Sequence, residues 1–137
     1  MARKLFVNLP VKDLNKSIAF FTALGFKFNP QFTDETATCM IISEENYAML
    51  LTHPKFASFS PNPIADAKKT TEVIIAMDCA SRDEVTAMTK KAIEAGGTRY
   101  SEPKDHGFML QDGFQDLDGH IWEVFYMDPS FVMPTQS

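Results

Sequence analysis

The sequence predicts an α+β domain made of two tandem β-α-β-β-β modules whose strands form a curved mixed sheet. Three observations carry that prediction. A helix-like segment stopped by glycine occurs once in each half, with Gly25 and Gly96 about half a chain apart. Each such segment follows one strand-like run and precedes several more. An Asp-Gly pair, Asp118-Gly119, joins the last two runs in the manner of a hairpin. The chain has 137 residues, 45% hydrophobic and 23% charged, which suits a single soluble domain with its own core.

Module one is expected over about 3–53. Lys4 to Val11 alternates as a strand, with Pro10 marking an edge or a strand end. Asp13 offers an N-cap, and Leu14, Ile18, Phe21 and Leu24 recur at helical spacing until Gly25. Strands are then expected over Phe26–Phe32, Ala37–Ile42 and Tyr47–Thr52, separated by the turn-forming stretches 33–35 and 43–46. A polar connection with Pro54, Pro61 and Pro63 follows and is read as a loop over 54–70.

Module two is expected over 71–128. Glu72 to Met77 is a β-branched strand, and Ser81 with Glu84 forms a capping-box pair. Val85, Met88, Ala92 and Ala95 share one helical face before Gly96-Gly97. Strands follow over Thr98–Ser101, Phe108–Phe114 and His120–Met127, and 129–137 is left as a tail.

Charge and composition exclude several partners. Thirteen basic and eighteen acidic residues give a net charge of -5, the wrong sign for a nucleic-acid binder and compatible with a neutral or cationic small ligand. No apolar run approaches the ~18 residues of a membrane span, and no secretory signal is read, so the expected compartment is the cytoplasm. Cys39 and Cys79 lack metal-ligand spacing and are expected as buried free thiols.

Two stretches extend this pattern to a family. Residues 11–21, VKDLNKSIAFF, with Leu24-Gly25-Phe26, and residues 116–123, DLDGHIWE, together resemble the vicinal oxygen chelate superfamily. That superfamily includes glyoxalase I, extradiol dioxygenases, fosfomycin-inactivating enzymes and bleomycin-binding proteins. Within it the chain is most similar to proteins described as predicted lactoylglutathione lyases. The resemblance spans about residues 3–128 and implies a glyoxalase/bleomycin resistance-type fold.

In metal-dependent members the first and last strands of each module supply one ligand apiece. By this resemblance the four positions fall at Phe6, Leu50, Glu72 and Glu123. Two are hydrophobic, so the four-ligand site is incomplete and no cofactor is assigned. A divalent metal, if one binds, would rest on Glu72 and Glu123. The same two carboxylates are the candidate catalytic acid and base. Strand alternation adds Asn8 beside Phe6, Ala48 and Thr52 beside Leu50, Ile74 beside Glu72, and Phe125 beside Glu123 as pocket residues. Trp122, Tyr126, Met77 and Leu51 are placed on the opposite, helix-packed face. Tyr100, His106 and Phe108 are candidate rim residues around Gly107, and Lys68 and Lys69 are read as loop charges.

Two functions follow. One is a lactoylglutathione lyase-like enzyme with an incomplete metal site. The other is a metal-independent protein that sequesters a drug or metabolite, as bleomycin-resistance proteins do. Phe56, Phe59, Phe131 and Met133 are apolar for a loop and a tail, which predicts a covered surface and a homodimer.

Overall fold

A computed structural model describes residues 2–131. Residues 132–137 of the expected tail, Met133 among them, lie outside the described residues. Each module forms a four-stranded mixed sheet carrying one long helix, as the pattern predicted.

In module one, β1 (Leu5–Val11) leads into α1 (Leu14–Ala23), then β2 (Lys27–Asn29), β3 (Ala37–Ile41) and β4 (Asn46–Thr52), in spatial order β1-β4-β3-β2. Module two repeats this with β5 (Ile74–Asp78), α3 (Arg82–Glu94), β6 (Lys104–Asp105), β7 (Met109–Gln115) and β8 (Ile121–Met127), in order β5-β8-β7-β6. The first and last strands of each module pair in parallel and the remaining neighbours antiparallel.

The helices begin where side chains satisfy their first amides. Asp13 accepts from the Lys16 N–H, and Ser81 accepts from the Glu84 N–H while Glu84 reaches back to the Ala80 N–H. Gly25 and Gly96 follow the helices at φ 102° and 109°, a conformation that only glycine takes without strain.

Four element predictions are corrected. Pro30 opens a short 3-10 turn over Pro30–Phe32, so β2 is only three residues long. The connection after β4 begins with a helix, α2 (His53–Ala57), started by Pro54 at its first turn. Thr98–Ser101 provides a single bridge, Thr98 to Gln115, and the edge strand forms later at Lys104–Asp105. Strand β5 starts at Ile74, which leaves Glu72 outside it. The reason is register: Ile74 pairs with Ile121, the first residue of β8, so nothing lies opposite Glu72 to extend the ladder.

One core serves both modules. Leu9, Val11, Met40 and Leu50 of the first sheet join Phe114, Trp122 and Val124 of the second around the two long helices. Phe21 of α1 meets the Trp122 ring edge-on at 5.2 Å, and Phe20 lies 6.0 Å from Phe114. Polar links reinforce the join: Asp118 accepts from the Lys12 N–H, and His120 donates to the Pro10 carbonyl. Both cysteines are buried and free. No helix among the described residues is long and apolar enough to cross a membrane.

Candidate functional site

The helices cover one face of each sheet, so the other face is where a ligand could reach strand-borne side chains. Strand pairing decides which residues stand there, because directly paired residues point to the same side. In the first sheet, Leu9 pairs with Leu50 and Val7 with Ala48, and these lie on the core side. Phe6 pairs with Tyr47 and Asn8 with Met49, on the far side.

This register corrects the pocket assignment for β4. Ala48 and Leu50 are fully buried in the shared core, and Thr52 follows the same parity at the start of α2, where its side chain makes no capping bond. Leu51, expected on the helix side, pairs with Pro10 on the far face. A shift of one residue along a strand exchanges its two faces. Asn8 and Phe6 keep the common face expected for them, with the Asn8 amide donating to the Phe6 carbonyl. The Phe6 and Tyr47 rings stack 4.8 Å apart.

In the second sheet Ala76 pairs with Glu123 and Asp78 with Phe125, so Ile74, Ala76, Asp78, Glu123 and Phe125 share the face turned from the helices. Trp122 and Val124 occupy the core side, and Tyr126 and Met77 pack against that core. Glu123 and Phe125 therefore stand together as expected from alternation. Glu72 does not join them. It precedes the start of β5 at Ile74 and so pairs with no residue of β8.

The edge strands β1 and β5 border two openings. One, of about 670 Å³, reaches from β1 past the end of β5 to α3 and is lined by Val7, Met77, Asp78, Glu84, Met88 and Phe125. The other, of about 430 Å³, is lined by Asn8, Pro10 and Phe56 with Glu72 and Ile121. Glu123 stands on β8 between Ile121, at the second opening, and Phe125, at the first, and itself lines neither.

Glu123 is held by a side-chain relay that alternation alone did not reveal. Gln111 of β7 donates its amide N–H to Glu123 Oε1 at 3.0 Å, and its Oε1 lies 2.8 Å from His106 Nε2. Because a carboxylate only accepts, the Gln111 amide orientation is fixed, and His106 must carry its proton on Nε2. Gly113 lies directly opposite Glu123 and leaves room for a phenol: a Cβ there would come within 2.3 Å of the Tyr100 hydroxyl oxygen. Burial pushes the Tyr100 pKa up, and the charges of Glu123 and Asp112 add to the effect. Phe108 packs on this rim between His106 and Phe131, stacking on Phe131 at 4.1 Å. Tyr100, His106 and Phe108 thus form the rim beside the site. Lys68 has a structural place, since its backbone closes over Gly119, where a Cβ would meet Lys68 N at 2.8 Å.

The donor set on the four central strands is poor for a metal. Phe6 and Asn8 on β1, Tyr47 and Met49 on β4, and Ala76 on β5 face the same way as their cross-strand partners, leaving Glu123 as the carboxylate at the middle of the array. Among the described residues no three His, Cys, Asp or Glu side chains come together to hold a metal ion. These residues do not fit a zinc-type catalytic site, which takes three protein ligands.

Comparison with known proteins agrees with this architecture. A family model described as "Bleomycin resistance protein-like N-terminal" matches residues 3–43. Hypothetical protein SA1046 from S. aureus is 31% identical, with 92% of this chain and 95% of that one covered and a TM-score of 0.77. A glyoxalase/bleomycin resistance protein/dioxygenase family enzyme from Burkholderia phytofirmans shares the fold at TM-score 0.75 and 16% identity, over 92% and 99% of the two chains. The fosfomycin resistance protein FosX from Listeria monocytogenes shares it at TM-score 0.67 and 19% identity, over 99% and 96%. No curated protein matches the sequence significantly. With its paired β-α-β-β-β modules, the chain has the fold of glyoxalase/bleomycin resistance protein/dioxygenase structures, and its residues 3–43 match a bleomycin resistance protein-like family model.

Proposed function

We propose that the protein binds a small organic molecule on the outer face of the second sheet, without a metal, in the manner of a sequestering protein. One observation carries this reading. Glu123, held in a fixed orientation by Gln111, stands on the outward face of β8 between Ile121 and Phe125, each of which lines an opening. A mostly apolar wall with a few fixed polar groups is the ordinary make-up of a small-molecule site. A second copy of the chain would complete the enclosure. Phe6 and Ile74, on the two edge strands beside the openings, are 48% and 56% exposed, more than a solitary domain gains by showing.

The test is a thermal-shift and metal-content series on purified protein with Zn²⁺, Ni²⁺ and Mn²⁺, alongside an apolar fragment screen. The reading expects fragment binding near Phe125 and no stoichiometric cation. A cation bound one-to-one, and lost in Glu123→Gln, would sink it.

The fixed Glu123 also supports a lactoylglutathione lyase-like enzyme, with this carboxylate moving a proton on a bound substrate. Turnover of the glutathione hemithioacetal of methylglyoxal, abolished in Glu123→Gln, would favour that reading over sequestration.

A further inference from the structure

Among the described residues Glu123 has no cationic partner. The ion pairs among the described residues are Arg82–Asp105 and Arg99–Asp112, and neither includes it. Lys104 stands on the same face, opposite Gln111 on the exposed edge strand, and makes no ion pair with Glu123. Gln111 occupies only Oε1 of the carboxylate, and among the described residues Oε2 and the Tyr100 hydroxyl make no hydrogen bond. The Tyr100 hydroxyl fills the space over Gly113, the residue paired with the half-buried Glu123, and on the same face Phe125 follows along β8 with Asp78 of β5 opposite it. A partly buried carboxylate with unused lone pairs is costly unless something donates to it.

We infer that Glu123 and Tyr100 form a subsite for a protonated amine. An ammonium group can donate one N–H to Glu123 Oε2 and another to the Tyr100 oxygen, and a carboxylate ligand would meet two acidic side chains, Glu123 and Asp78. The carbon skeleton bearing the amine would lie against Phe125 and Ala76. This inference rests on the ligand-binding reading above and names the ligand's chemical class. Tyr100 is here a specificity residue, and Gln111 and His106 are positioning residues acting through Glu123.

Benzylamine and benzyl alcohol, which differ chiefly in the charged group, separate the possibilities. Both are titrated into the full-length protein at low salt, with NMR shifts of Phe125 and Met127 as the readout. Benzylamine should bind at least about tenfold more tightly, the scale of a charge-assisted hydrogen bond. That preference should vanish in Glu123→Gln and fall several-fold in Tyr100→Phe. Equal binding of the two probes overturns the amine subsite while leaving the small-molecule reading intact. Shifts with neither probe overturn both. The contrast on the unaltered protein decides the question even if a variant fails to fold.

Discussion

The register of β4 makes a quantitative prediction that separates Leu50 from its neighbour Met49. Leu50 is fully buried, 0% exposed, and belongs to the core cluster with Leu9 and Met40. Met49 pairs with Asn8 on the opposite face and is only half-buried. Leu50→Ala removes buried carbon and leaves a cavity between sheet and helix, which costs about 3 kcal/mol within a range of 2–5. For a chain of this size that corresponds to a fall in melting temperature of roughly 10 °C. Met49→Ala should cost about 1 kcal/mol, because its side chain gives up less burial. Urea unfolding of the two variants with the unaltered slope m gives both numbers directly. The placement is refuted if Met49→Ala proves the more damaging of the two, since Leu50 would then face the ligand side and Met49 the core.

Gly113→Ala should displace Tyr100, because the new Cβ would press on the phenol oxygen and on the Trp122 carbonyl at 2.7 Å. A loss of about 1–3 kcal/mol in urea unfolding is expected, along with loss of any amine preference. Burial raises the Asp116 pKa, with His120 and the Trp122 indole N–H opposing that rise. The folded state then holds its proton more strongly than the unfolded one, so Asp116's contribution to stability declines as pH rises through the window above the ordinary carboxylate range. Asp116→Asn should flatten that part of the pH–stability curve while leaving the Trp122 indole N–H facing an amide donor, at a cost of about 1–3 kcal/mol; an unchanged slope would refute the assignment. The Cys79 thiol is pushed up to about 11 by burial and by the charges of Glu84 and Asp78. Two units above its ordinary value means about a hundredfold less thiolate, so a disulfide reagent at neutral pH should label Cys79 at about one-hundredth the rate seen after unfolding in urea.

Why some of this was readable from the chain and some was not follows from particular residues. Asp13, Ser81, Gly25 and Gly96 act within one or two turns of their own position, so capping chemistry reveals them without tertiary context. The Asp118-Gly119 turn is equally local. Ala48-Met49-Leu50-Leu51 is apolar at every position, because Ala48 and Leu50 fill the core while Leu51 is buried on the opposite face. Period-two alternation is therefore silent there, and only the pairing to β1 tells the faces apart. Glu72 was misplaced for a related reason: the β-branched run Val73-Ile74-Ile75 hides where the strand begins. Gln111 carried a signal, two positions before Gly113 on the same strand face, but nothing in sequence says that its amide meets Glu123. Tyr100 is a rim candidate from its place near Gly107, but that its hydroxyl lies over Gly113 is not legible, since the contact exists only because Gly113 has no side chain.

The bonds joining the two modules have a kinetic consequence. Lys12 to Asp118 and Pro10 to His120 span 106 and 110 residues of sequence, so they close very large loops. Contacts of that kind form after the local ones, because the chain loses the entropy of closure before gaining the contact. Each sheet can assemble around its own helix first, and docking of the halves becomes the late step of refolding. Trp122, the chain's single tryptophan, is seated at the join against Phe21 of the other half. Its fluorescence should therefore lag the far-ultraviolet signal of helix and strand, timing the moment when two half-molecules become one.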